Sequence, residues 1–81
     1  MDYQGELDKS GKATGIGRLY FPFVDEIFYQ GNFTDGKMCG SGRFFYVNQT
    51  ILYEGNVKND SWTGSGIKYH NDGYKIYDGN F

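Results

Sequence analysis

Three Gly-x-Gly triplets, Gly15-Ile16-Gly17, Gly40-Ser41-Gly42 and Gly64-Ser65-Gly66, are the first places where this chain invites chemistry. Such a turn can cradle a dinucleotide pyrophosphate, but only as G-x-G-x-x-G between a strand and a helix. None of the three has the third glycine, and none opens a helical pattern. Cys39 is the sole cysteine and His70 the sole histidine, 31 residues apart, so a Cys–His nucleophile pair is not expected and Cys39 reads as a spectator thiol. One Cys and one His also preclude an internal disulfide and a Cys/His zinc site. The carboxylates are scattered and no pair is singled out by its setting, which leaves two-carboxylate glycosidase chemistry without support. The chain reads as non-enzymatic, with no metal and no cofactor.

Arg18 and Arg43 follow equivalent glycine triplets, and with Lys68 they would make a small strip contacting anions or lipid headgroups. Solvation and cross-strand pairing with acids is the favoured role, because exposed charges are cheap to leave in water. The net charge of −2, from 8 basic and 10 acidic residues, argues against a general phosphate-binding surface on nucleic acid or anionic membrane. No charged segment followed by an apolar one opens the chain at Met1, and no apolar run approaches the roughly 20 residues of a membrane helix. With a free thiol, these features lead to an expectation of a reducing compartment, most simply the cytoplasm. The Asn-x-Ser/Thr triplets at Asn32, Asn48 and Asn59 are then turn residues rather than glycosylation sites.

The elements that hold these residues must be strands. A chain of 81 residues supports one small domain, and 20% aromatic content with 13 glycines and one proline points to an all-β fold. Tyr3, Tyr29, Tyr53 and Tyr77 each open a Tyr-x-Gly, at intervals of 26, 24 and 24 residues. The Gly-x-Gly triplets follow the first three at offsets of 12, 11 and 11. Asn32, Asn56 and Asn80 fall three after the Tyr, and Leu7, Phe33, Val57 and Phe81 four after it. Such fixed offsets mark a repeat, with units at about 3–28, 29–52 and 53–76 and a partial unit at 77–81.

Within each unit the alternation predicts two strands and a turn. In the second, Ile27, Tyr29, Gly31 and Phe33 fall on one face and Phe28, Gln30 and Asn32 on the other. Asp35-Gly36 supplies a hairpin turn, and Gly40, Gly42, Phe44 and Tyr46 form one face of the return strand. The whole predicts about seven strands in consecutive antiparallel hairpins, an elongated meander without helix.

The pattern of Tyr-x-Gly-x-apolar, a turn, then Gly-x-Gly-x-x-x-aromatic resembles the MORN repeat (membrane occupation and recognition nexus), over three full units and the start of a fourth. The resemblance implies a single-layer, twisted and curved antiparallel sheet whose core is its own concave face. Glycines would then remove Cβ where Tyr29, Tyr53 and Tyr77 lie on adjacent strands. There are departures from the pattern: Val57 and Leu7 replace a large aromatic, Lys68 and His70 stand where Phe44 and Tyr46 stand one unit earlier, and the only Trp is Trp62. One layer cannot bury both sides of an aromatic surface, so Tyr29, Phe33, Phe44, Tyr46, Tyr53 and Tyr77 are expected to serve as core and as protein-binding platform together. The function implied is a non-catalytic scaffold or adaptor holding a helix or extended peptide through the concave face and edge strands, within a larger assembly. Family habit places it in cytoskeletal or ciliary (axonemal) complexes. A phospholipid-binding membrane tether and a regulatory segment of a larger enzyme are the alternatives.

Overall fold

The computed structural model describes residues 2–81. Seven strands follow one another along the chain: β1 (Tyr3–Leu7), β2 (Ala13–Tyr20), β3 (Ile27–Thr34), β4 (Lys37–Phe45), β5 (Ile51–Lys58), β6 (Ser61–Tyr69) and β7 (Lys75–Asn80). Each pairs antiparallel with its sequence neighbour, giving one open sheet in the order β1 to β7. All seven strands lie in this one layer, and the Cα extents are 40 × 29 × 13 Å.

The turns follow their residues. Asp35 and Gly36 have φ of 53° and 79°, the left-handed pair of a type I′ hairpin turn. Asn59 and Asp60 adopt the same pair at 50° and 66° without a glycine, as Asn and Asp tolerate this region best among side-chain-bearing residues. Asp60 also ties its turn to the preceding hairpin: its Oδ1 accepts from the Met38 amide at 2.8 Å, and its own amide donates to the Met38 carbonyl at 3.1 Å. On the other sheet edge, the Gln49 side-chain amide spans to Ile27, accepting from its N–H at 3.1 Å and donating to its carbonyl at 2.9 Å. Successive repeats are thus laced together at both edges.

The two glycines of each triplet do different work. Gly5, Gly17, Gly31, Gly42, Gly55, Gly66 and Gly79 pair in register and form a continuous row, one per strand. The second glycine of each triplet belongs to this row. The first glycine does not: Gly15, Gly40 and Gly64 have φ of 65°, 114° and 60°, and the register slides beside each of them. Gly31 pairs with Gly42, yet Phe33 pairs with Met38, so Asn32 alone opposes Cys39, Gly40 and Ser41 of β4, and a Cβ on Gly40 would point at the Asn32 side chain. Gly40 therefore does not share the face of Gly42 and Phe44 in the way simple alternation predicts.

A second series of bulges precedes Tyr29, Tyr53 and Tyr77. Leu19 pairs with Tyr29, but Tyr20 pairs with Ile27, which frees Phe28 to turn. Phe28 packs against the core cluster and meets Phe44 edge-on at 5.3 Å, rather than lying on the far face with Gln30. Leu52 occupies the equivalent bulge and also packs on the core. Tyr46 lies beyond the end of β4, in the link to β5.

The core is Tyr29, Phe33, Met38, Phe44, Tyr53 and Val57, all on one face. In the second and third hairpins the opposed side chains have complementary sizes: Phe33 faces Met38, while the smaller Val57 faces Trp62. The missing aromatic at Val57 is made up by the tryptophan across the strand pair. At the next departure, Lys68 keeps the register of Phe44, between Tyr53 and Tyr77, and Tyr69 stays on the far face, where its hydroxyl donates to Glu54 at 2.8 Å. The aromatic face is therefore more polar at Lys68, and no bulge brings Tyr69 inward.

Candidate partner-binding face

Each repeat tyrosine makes the same local hydrogen bond. The hydroxyls of Tyr3, Tyr29, Tyr53 and Tyr77 donate to the carbonyls of Glu6, Asn32, Asn56 and Asn80, at 2.7, 2.9, 2.6 and 2.8 Å. To reach a carbonyl three residues on, the ring must lie along its own strand and across the glycine row. A Cβ placed on Gly42 or Gly66 would fall under 3.0 Å from the ring of Tyr29 or Tyr53. One placed on Gly17 would meet Tyr3 in the same way. Only glycine leaves that bed open. Tyr77 departs from expectation, since β7 is the last strand among the described residues and the ring rests on Gly79 of its own strand.

From these rings an aromatic chain extends along the sheet. Phe33 sits between Tyr3 and Tyr29 with centroids 5.0 and 5.3 Å away, edge to face. Phe44 contacts Tyr29 at 4.8 Å and Tyr53 at 6.1 Å. Trp62 stacks on Tyr53 at 4.5 Å with planes 4° apart, and Phe81 bridges Tyr53 and Tyr77 at 5.0 Å each. Such pairs add stabilisation beyond area alone, about 0.5–1.5 kcal/mol each. Burial pushes the Tyr29 phenol up to about 12 and raises Tyr53 and Tyr3 in the same direction, because phenolate would be desolvated there.

The expected platform residues fall into two classes. Tyr29, Phe33, Phe44 and Tyr53 are at most 4% exposed and are committed to the core. Tyr77 is 46% exposed, and Tyr46, half-buried in the link, donates its hydroxyl to the Tyr69 carbonyl at 2.8 Å. Tyr77 is joined by Ile76 and Phe81, both well exposed, and by half-buried Trp62, none of them singled out as binding residues from sequence. The signal for Phe81 was its offset from Tyr77, and for Trp62 its place two residues past the turn, matching Met38.

The three cations do not converge. Arg18 and Arg43 lie on the far face in a row that runs Gln4, Arg18, Gln30, Arg43, Glu54, Ile67, Asp78 across the strands. Arg43 is paired with Glu54 at 3.2 Å. Lys68 is on the aromatic face, its Nζ 5.8 Å from the centroid of Trp62. The far face also holds a shallow depression of about 340 Å³, floored by Gly31 and Gly42 and walled by Ile16, Gln30, Asn32, Ser41, Arg43 and Glu54. It offers amides, a Ser41 hydroxyl that accepts from Asn32 Nδ2 at 3.2 Å, and the Arg43–Glu54 ion pair.

Comparison with known families agrees with this geometry. The MORN repeat model matches residues 29–51 and 53–73, together more than half of the chain. Those two segments begin at the two tyrosines whose rings are fully buried. No curated protein sequence matches the chain significantly.

Proposed function

From the premise that the chain belongs to the MORN-repeat family, a family of binding modules rather than catalysts, we propose a non-catalytic scaffold or adaptor. It holds a partner protein, as an amphipathic helix or extended peptide, on the open end of the aromatic face and along the edge strands. A cytoskeletal or ciliary assembly is the setting we favour, on the habit of similar modules. The observation that carries the reading is the contrast in exposure along one continuous aromatic chain. Its middle is sealed at Tyr29 and Tyr53, and its β7 end is open, with Tyr77 and Phe81 46% and 39% exposed and Ile76, next to Tyr77 in the strand, 54% exposed. Contiguous apolar side chains left in water mark interaction surfaces, and extended peptides add readily to sheet edges. A lipid tether would gather its cations, whereas here Arg18 and Arg43 face away from Lys68.

The test is capture from membrane-cleared lysate by the tagged chain, beside a Tyr77→Ala/Phe81→Ala variant whose fold is checked by circular dichroism. A defined protein retained by the wild type and lost by the folded variant supports the adaptor. Capture of anionic liposomes alone, abolished by salt, replaces it with the membrane tether.

A further inference from the structure

We propose that the loops joining β2 to β3 and β4 to β5, side by side on one edge of the sheet, dock a basic amphipathic helix of a partner protein, with Phe23 as the peg. The site lies off the aromatic face and does not rest on the reading above. Phe23 is 105% exposed and Val24, next to it, 47%. Pro22 and Phe23 form the tip of the turn, where Phe23 has a φ of 69°. After a turn proline that left-handed position usually falls to glycine or asparagine, and a bulky side chain there is strained. A chain with 13 glycines places none here. The ring gains no packing in exchange, so neither conformation nor burial accounts for a phenylalanine. A strained backbone holding an exposed ring points to a binding role.

The loop is firmly held. The Phe21 amide donates to the Glu26 carbonyl at 2.9 Å and closes it. Phe21 meets Phe28 edge-on at 5.3 Å, and Phe28 meets Phe44 at the same distance, so the base is keyed to the core. The Gln49 side chain ties the next loop to Ile27. In that loop Val47 precedes Tyr53 by six residues, as Phe23 precedes Tyr29. Val47 is 59% exposed although a loop flanks it on either side, so exposure belongs to this position in the repeat.

Spacing and charge define the occupant. Successive loops on one edge are two strand spacings apart, about 9.5 Å. Residues i and i+7 of a helix lie about 10.5 Å apart on one face, whereas an extended peptide repeats a face at about 6.6 or 13 Å. A helix laid across the edge therefore sets one apolar residue over Phe23 and Val24 and the next over Val47. Asp25 and Glu26 stand beside the peg and form no ion pair among the described residues. Neither loop, 21–26 or 46–50, holds a Lys or Arg, while Lys9, Lys12, Lys37 and Lys58 gather at the turns of the opposite edge. Lys or Arg flanking the apolar stripe of the helix complements this edge, and an acidic helix is repelled.

The experiment is fluorescence anisotropy of a labelled synthetic helix, with Leu at the a and d heptad positions and Lys and Ala elsewhere, titrated with the 81-residue chain. The wild type should bind it, and should bind a matched peptide with Glu in place of Lys far more weakly. Phe23→Gly should weaken binding about tenfold. The same variant should raise the urea midpoint followed by Trp62 fluorescence, because glycine relieves the turn. Asp25→Lys/Glu26→Lys should also weaken binding about tenfold, with circular dichroism unchanged. No binding of the Leu/Lys helix overturns the inference, as does binding indifferent to Phe23→Gly. A Phe23→Gly chain that unfolds more readily overturns it too, since the ring would then serve the fold. Binding lost in Tyr77→Ala/Phe81→Ala but kept in Phe23→Gly assigns the helix to the aromatic face instead. Phe23-dependent binding to phosphatidylcholine vesicles without peptide binding gives the edge to a membrane and likewise overturns the inference.

Discussion

Tyr29 and Tyr77 open the same short sequence, Tyr-x-Gly-Asn-Phe, and make the same hydroxyl-to-carbonyl bond at 2.9 and 2.8 Å, yet one is 0% exposed and the other 46%. The local bend is thus written within five residues, whereas burial is supplied by the neighbouring strand. For Tyr29 that neighbour is β4, which contributes Gly42 as the bed and Phe44 as the wall. For Tyr77 the described residues supply no such neighbour, β7 being the last of their strands. A MORN unit is therefore two separable things, a self-contained tyrosine clip and a borrowed glycine floor.

The sharpest way to break this comparison is to delete the two rings. Tyr29→Ala should cost about 3–5 kcal/mol, as expected for emptying a fully packed aromatic site, and in a domain this small it should leave the chain largely unfolded. Tyr77→Ala should cost about 1 kcal/mol, because nearly half of this residue is already in water. Urea denaturation followed by Trp62 fluorescence separates the two. Equal losses would mean that the clip, not the floor, carries the stability.

The next effect is at the floor itself. Gly42→Ala places a methyl into the immobile ring of Tyr29 and should destabilise by about 1–3 kcal/mol, the usual cost of overpacking a core. Gly79→Ala meets only the exposed ring of Tyr77, which can move aside, and should cost less than about 1 kcal/mol. Thermal melts of both variants test whether the row matters equally along its length or only where a ring is sealed over it.

What could be read in advance follows the same division between local and borrowed. The offsets of Tyr3, Tyr29, Tyr53 and Tyr77 carried the hairpins and the strand number, because turn chemistry and repeat spacing are local. The two roles within Gly40-Ser41-Gly42 were not separable, since a bulge glycine and a bed glycine look alike in one dimension. Phe28 and Leu52 were misplaced or overlooked for the related reason that a bulge breaks the period of two on which the face assignment depends. The compensation of Val57 by Trp62 needed the cross-strand register. The proposed platform mixed sealed rings with open ones because exposure is set by the neighbouring strand, which Tyr77 lacks.

Titration probes the sealed rings from a different side. Burial raises the Tyr29 phenol from 10 to about 12, and Tyr53 moves the same way. The unfolded chain releases these protons first, so the stabilisation is fully present below pH 10 and is lost as pH rises toward about 12. The melting temperature should fall across that window, in step with phenolate absorbance near the ultraviolet edge. In Tyr29→Phe the fall should be shallower, at the expense of the Asn32 hydrogen bond and a lower starting stability.

The smallest predicted effect tests whether the third repeat is merely a weaker copy of the second. Lys68 holds the position of Leu19 and Phe44, between Tyr53 and Tyr77. Its ammonium, near the Trp62 ring, returns only about 0.5–1 kcal/mol at a site so close to water. Leucine is accepted at the equivalent place in β2, so Lys68→Leu should fit without strain and bury more apolar area against Tyr53 and Trp62. The expected gain is about 0.5–1 kcal/mol in urea denaturation. A loss instead would show that the Lys68–Trp62 contact holds the tryptophan flat on Tyr53, and that the open end of the face is organised by a cation rather than by rings alone.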